Sequence, residues 1–267
     1  METVRKYGAI DGLHRNSLKQ MTEAGKVSYG MVVNIASPVM IELAALAGCD
    51  FVRIDMEHNL FDVNMLQHMI RTADSCGISV FIRLDQYDLI APLVDFGIAG
   101  FMFPHVRSAE QAKMLVDKVK YAPVGRRGFC DAGRAHRYGL MPFSKYLDEA
   151  EKDIFLQVQI EDKEGIEHME EIIATPGIDY ICSGRGDIAQ SLGLLGQGNH
   201  EKVTAVEDRL LQVAKDHNKR CQISASAPEQ IRYYYDKGVR AFTIGDDKIY
   251  LRNALMDKLK LLHDLNL

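Results

Sequence analysis

Three ionisable residues close one short stretch of this chain. The segment FVRIDMEHNLFD, residues 51–62, begins as an apolar run and then places Asp55, Glu57 and His58 within four residues. Further along, Arg83 ends the run SVFIR, Gln159 and Glu161 end FLQVQIE, and Asp187 follows DYICSG. Glu161 and Asp187 are 187 − 161 = 26 residues apart, the length of one strand–helix unit. Adjacent strands would bring their carboxylates together, and two like charges that close repel unless a cation lies between them. Two oxygen ligands leave such an ion open positions, and hard oxygen donors suit Mg²⁺ or Mn²⁺ better than Zn²⁺. An ion of this kind can hold a 2-oxo acid through a carboxylate oxygen and the keto oxygen and stabilise its enolate. Arg83 would add fixed positive charge to the same oxygen, and His58 would act as the base or activate it. Proton abstraction beside a carbonyl, or its reverse, is the chemistry of that set. Taken singly, each carboxylate could instead cap a helix or pair with an arginine.

The elements that would position these residues read as short apolar, β-branched runs alternating with amphipathic stretches of helical period, the pattern of βα units. Eight runs are predicted as strands: 29–35, 51–55, 79–83, 100–104, 155–161, 179–184, 220–225 and 240–245. Helices are predicted over 37–48, 62–77 and 108–120, with Ser108 as a cap and Gly48 and Gly77 as stops. Strands buried on both faces read as continuous apolar runs. Eight of them in a chain of this length predict an α/β fold, a single (β/α)8 TIM barrel forming one domain over 1–267. In that fold the chemistry gathers at the C-terminal ends of the strands, where all the residues named above fall. The stretch 121–153, between units four and five, is longer than a usual connection and is expected to cross the barrel mouth. The glycines of SLGLLGQGNH, 191–200, do not sit between a strand end and a helix start, so this segment reads as a connection and not a phosphate loop.

Composition narrows the partners. A net charge of −5 and a pI near 6.0 give no basic face for nucleic acid or an anionic membrane, so small molecules are the expected ligands. The five cysteines are scattered, never in C-x-x-C spacing, which points to neither a disulfide framework nor a zinc site and fits a reducing compartment. No apolar stretch of about 18 residues and no signal-peptide pattern occurs, and the expected location is cytoplasmic.

IDMEHN (54–59), FIRLD (81–85), YAPVGRRG (121–128), VQIED (158–162) and SGRGDIAQSLG (183–193), in this order and at these spacings, resemble the HpcH/HpaI aldolases. These are metal-dependent (class II) pyruvate aldolases of 2-oxo-3-deoxy sugar acids and 4-hydroxy-2-oxo diacids. The resemblance runs from about Gly25 to the last helix. It implies that Glu161 and Asp187 are ligands of a divalent ion, Mg²⁺, Mn²⁺ or Co²⁺, and that His58 is the catalytic base. It further implies that Arg83 stabilises the enolate, that Asp95 raises the basicity of the histidine, and that Gln159 and the backbone of Gly186 touch the pyruvate part. Asp55, on the loop of His58, is placed to orient it.

Three departures stand out. The family commonly has G-P-A-D or G-P-N-D before the second ligand, where this chain has Gly184-Arg185-Gly186-Asp187, and the added guanidinium would either bind an anionic substrate group or, as is expected, face solvent. Met56 stands where many members have a small residue and is expected to narrow the space beside His58. Arg134, His136 and Arg137 form a positive cluster that would either receive a distal carboxylate or phosphate or lie on a surface loop or subunit contact.

The function implied is an aldolase cleaving a 4-hydroxy-2-oxo acid to pyruvate and an aldehyde, or condensing them. No strand-end position is a lysine, which favours a metal route over an imine. A barrel lyase acting on an acyl-CoA ester of the malyl- or citramalyl-CoA kind would need a groove for the thioester, which this sequence does not reveal. A non-catalytic 2-oxo acid binder would have no use for a base. By resemblance the chain is a homo-oligomer, a hexamer or trimer of dimers. The apolar stripe Ile249, Leu251, Leu255, Leu259 and Leu262 of the last helix is expected to pack on a neighbouring barrel or on its own.

Overall fold

The structure, a computed structural model, describes residues 17–265; residues 1–16 and 266–267 of the expected domain lie outside it. Eight parallel strands close into a barrel in sequence order, β8 pairing with β1. They are β1 (Ser28–Val33), β2 (Phe51–Asp55), β3 (Ser79–Arg83), β4 (Gly100–Phe103), β5 (Phe155–Ile160), β6 (Tyr180–Ser183), β7 (Arg220–Ser224) and β8 (Ala241–Asp246). Helices follow the strands, and the expected TIM barrel is the fold found. Local chemistry sets the helix bounds. Asp62 accepts the amides of Asn64 and Met65 to start the helix Val63–Cys76, and Gly77 ends it in the left-handed region at φ +66°. Ser108 caps the helix Ala109–Val119 through the Gln111 amide.

Alternation along the strands stacks the barrel interior in layers. Phe51, Phe81, Phe155 and Tyr180 pack ring on ring at 5.1–5.6 Å at the N-terminal end, closed from below by Leu18 of the helix Ser17–Glu23. Two residues further along each strand come Arg53, Met102, Gln157, Cys182, Gln222 and Thr243, a middle layer that is largely polar. At the mouth stand Asp55 and Gln159, two residues further on, with Arg83 paired level with Asp55 and Glu161 two residues beyond Gln159. A separate apolar core fills the space between the barrel and its helices.

For the peripheral segments, one expectation is corrected and, for the last helix, one of two alternatives is closed. The stretch 121–153 runs along the N-terminal end of the barrel, not the mouth. It follows a helix that has already returned from β4, and its anchors lie at that end: Lys120 to the carbonyl of Ile154, Arg127 to Asp95, and Arg134 to Asp74 and the carbonyl of Phe96. It also carries a helix of its own, Phe143–Asp153. Beyond its first turn, where Tyr250 bonds the Ile244 carbonyl, the last helix, Asp247–His263, does not pack on its own barrel. Its first residue is buried and fixed, the Asp247 carboxylate accepting the amides of Asn34 and Ile35 at 2.9 and 2.8 Å. Every residue from Lys248 to Leu265 is exposed, including the whole apolar stripe. Val39, Leu43 and Leu46 of the helix Pro38–Leu46 are bare as well. No helix among the described residues is long and apolar enough to cross a membrane.

Candidate active site

The register of the barrel brings the mouth residues together. Asp55 and Arg83 are paired positions on β2 and β3, and their side chains form a two-pronged ion pair, Nε to Oδ1 at 2.8 Å and Nη2 to Oδ2 at 2.6 Å. The remaining prong, Nη1, lies 3.1 Å from Glu57 Oε2. Burial alone would raise the Asp55 carboxyl, but the hydrogen bond and charge of Arg83, with Arg53 behind it, hold it below its ordinary range. Asp55 therefore orients Arg83. His58, the residue it was expected to orient, stays largely exposed, with its Nε2 3.5 Å from Glu57.

Across the mouth, Glu161 follows β5 and is almost fully buried. Its Oε1 accepts the His105 amide at 3.2 Å, and its Oε2 accepts the Gln159 side-chain amide. The carboxylate lies directly over Gly184, where any Cβ would overlap it. Glycine is thus required at this position by close approach. Three residues on, half-buried Asp187 sits in the first turn of the helix Arg185–Ser191. Burial pushes the Glu161 carboxyl up to about 7, opposed by the nearby His105 and reinforced by the like charge of Asp187. A buried carboxylate beside a second one, over a cradle kept free of side-chain atoms, is a donor set that fits a hard divalent cation. Among the described residues no group of three or more His, Cys, Asp or Glu is arranged to hold a metal ion.

His105 is the site residue that sequence reading missed. It stands in the left-handed region at φ +54°, with Nε2 3.0 Å from Glu57 and Nδ1 3.4 Å from Glu161 and 3.2 Å from Asp162. Burial would lower its pKa, but the three carboxylates raise it. A signal was present: it is the first residue past the fourth apolar run, GFMFP.

Asp95 is not brought to His58 within one chain. It lies in the last turn of the helix Ile90–Phe96, at the N-terminal end of the barrel, 2.6 Å from Arg127. Arg134, His136 and Arg137 are at that end too, so within one chain they do not face the mouth. Arg185 is not turned to solvent. It pairs with the fully buried Glu207 and bonds Tyr234, Thr204 and the carbonyl of Gly198, which fastens the loop that the missing proline would have stiffened. Met56 is buried in the apolar core between the barrel and its helices. Gly186 is exposed, and Gln159 is buried beside Glu161.

Residues 28–254 match the family model for HpcH/HpaI aldolase/citrate lyase. The chain belongs to this family. The 5-keto-4-deoxy-D-glucarate aldolase of Klebsiella pneumoniae is 32% identical over 241 residues, 90% of this chain and 93% of that relative. Among solved structures, citrate synthase SbnG superposes with a TM-score of 0.87 at 29% identity, over 94% of this chain and 99% of that one. An HpcH/HpaI aldolase from Desulfitobacterium hafniense gives 0.86 at 27%, over 92% and 96%. As a member of the HpcH/HpaI family the protein is a carbon–carbon lyase.

Proposed function

We propose that this HpcH/HpaI protein is a divalent-metal-dependent aldolase that cleaves a 4-hydroxy-2-oxo acid to pyruvate and an aldehyde, or joins the two. The observation that carries this reading is the Glu161 carboxylate seated over Gly184 next to the Asp187 turn, with Arg83 pinned in the same mouth. Glu161 and Asp187 would hold Mg²⁺, Mn²⁺ or Co²⁺, and the bound ion supplies polarisation of the keto group of a 2-oxo acid. Arg83, its guanidinium plane fixed by Asp55 and Glu57, adds positive charge where the enolate oxygen forms. His58, exposed enough to meet a substrate entering from solvent, accepts the proton of the C4 hydroxyl. The C3–C4 bond then breaks, its electron pair passes into the enolate of pyruvate, the aldehyde leaves, and a proton returns to C3. Gln159 and the backbone at Gly186 would hold the carboxylate end of pyruvate.

Exchange of the pyruvate methyl protons in D₂O, followed by NMR with and without added Mg²⁺ or Mn²⁺, tests enolisation without knowledge of the aldehyde. Exchange that chelation abolishes and a divalent ion restores is the expected result. Exchange that survives exhaustive chelation refutes the metal role of Glu161 and Asp187, and pyruvate binding without exchange makes the protein a binder.

A further inference from the structure

Beneath the mouth lies a cavity of about 200 Å³, lined by Arg53, Arg83, Gln159, Ser183, Asp187 and Ser224 among others. Two other guanidinium groups border it, and both are already engaged. Arg83 is taken by Asp55 and Glu57, and Arg185 by Glu207. Arg53 is different. It is buried in the middle layer, its Nη1 meets only the thioether of Met102 at 3.3 Å, its Nε has no partner, and among the described residues no carboxylate lies within ion-pair distance of it. Around it the layer offers polar groups that are also unspent. The buried Gln157 amide has the weak Cys182 thiol beside it and no hydrogen-bond partner, and the Gln222 side-chain oxygen has none. Asp55 and Glu161 act on Arg53 only from beyond ion-pair distance, and a buried guanidinium so poorly compensated is destabilising, so its presence at the floor of a cavity calls for an anion that arrives from outside.

We propose that Arg53 and this layer form a carboxylate subsite at the floor of the mouth, which takes one end of a short dicarboxylate whose other end lies at the rim. At about 30 Å³ per water, the cavity has the volume of about seven waters, the size of a three- to five-carbon acid. The ligand is a carboxylate and not a phosphate ester because one guanidinium fork matches the single charge of a carboxylate edge with two parallel hydrogen bonds, whereas the second charge of a phosphate ester would be buried unmatched. Arg53 lies one strand level below Asp55, so the floor is the deeper level of the cavity whose rim, near Gln159 and Gly186, the aldolase reading gives to the pyruvate carboxylate. The subsite goes beyond that reading and does not depend on it.

Calorimetric titration of the full chain, with Mg²⁺ present and again after chelation, compares malonate and succinate with acetate and pyruvate. The better of the two diacids should bind at least tenfold more tightly than acetate in both conditions. Arg53→Met should remove that advantage and change pyruvate affinity by less than twofold. Should Arg53→Met fail to fold by circular dichroism, Arg53→Lys, which keeps a charge but loses the fork, should weaken the diacid at least threefold and pyruvate less than twofold. Diacids that bind no better than acetate mean a floor filled by water only and overturn the proposal. Equal losses of diacid and pyruvate in the folded variant also overturn it, since Arg53 would then serve the pyruvate carboxylate. A failure of the proton-exchange experiment leaves these titrations untouched, so the two readings fail separately.

Discussion

Replacing Arg53 with methionine should make the metal-free protein more stable. Burial, with the like charge of Arg83 second, drives the Arg53 guanidinium down from its ordinary value to about 10. At about 1.4 kcal/mol per pH unit, that fall corresponds to about 3 kcal/mol by which the fold disfavours the charged side chain. The group is almost fully buried, so solvent screening takes little from this figure. Methionine keeps the unbranched stem and adds no charge. Against the gain stands the lost contact of Nη1 with the Met102 sulfur, a weak interaction. The expected net is a stabilisation of about 2–3 kcal/mol at pH 7, or about 4–9 °C in melting temperature for a chain of this length. The chain contains no tryptophan, so equilibrium urea unfolding is best followed by far-ultraviolet circular dichroism. The denaturant slope should stay constant, since the surface exposed on unfolding hardly changes. The pH dependence has a definite sign. The native pKa is depressed, so the unfolded chain holds more protons once pH exceeds about 10, and the deficit of the wild-type protein should shrink as pH climbs above that value. A variant that loses more than about 1 kcal/mol at unchanged slope would refute the reasoning, because Arg53 would then be holding the barrel together.

The two histidines at the mouth should separate in function: His58→Ala is expected to lose proton exchange and cleavage by about 10² to 10⁴ with divalent-ion affinity retained. His105→Ala, which removes the ring beside Glu161, should alter ion affinity in Mn²⁺ titrations more than turnover, and near wild-type turnover in His58→Ala would make that residue structural. Asp55→Asn should destabilise the protein by about 2–4 kcal/mol at pH 7, since it leaves Arg83 without its main partner. The native Asp55 carboxyl lies below its ordinary 3.8, so its contribution is complete above that value and fades as pH falls through the native pKa; a gap that persists undiminished in acid unfolding curves would exclude this ion pair as the cause. Light scattering at micromolar concentration should find an oligomer, and Leu255→Asp in the exposed stripe should weaken it; a monomeric wild-type protein removes the case for a neighbouring barrel over the last helix.

Where the sequence located elements well, the cause was a local signal. FVRID and SVFIR are continuous apolar runs with one polar end, and Asp62 and Gly77 bracket a helix with a side-chain cap and a left-handed stop. The carboxylates Glu161 and Asp187 were legible from their separation, because one βα unit brings consecutive strand ends side by side. The residues read differently were those whose meaning depends on a partner distant in sequence. Arg185 finds Glu207 on the helix Glu201–Asp216, and nothing near SGRGD announces a buried acid there. For Asp95 the order of elements was sufficient: a residue five positions before β4 sits where a helix has already run back to the N-terminal end. A role at the mouth within one chain conflicts with that direction.

The middle layer was legible in another sense. In a strand, residues two apart share a face, so the positions preceding the mouth residues by two also point into the barrel. Applied to Asp55, Gln159 and Ser224, that rule yields Arg53, Gln157 and Gln222, three polar groups at one level where TIM barrels ordinarily stack branched apolar side chains. Arg53 was passed over because it falls inside a run that reads as apolar, and the run was judged by its average. The buried charge contradicts the composition around it, and such contradictions mark positions kept for a reason other than stability. The two measurements on Arg53→Met are therefore linked: a gain in stability together with a loss of the diacid is the pattern of a functional site. A gain in stability with no change in binding would leave a charged barrel layer with no purpose at the mouth.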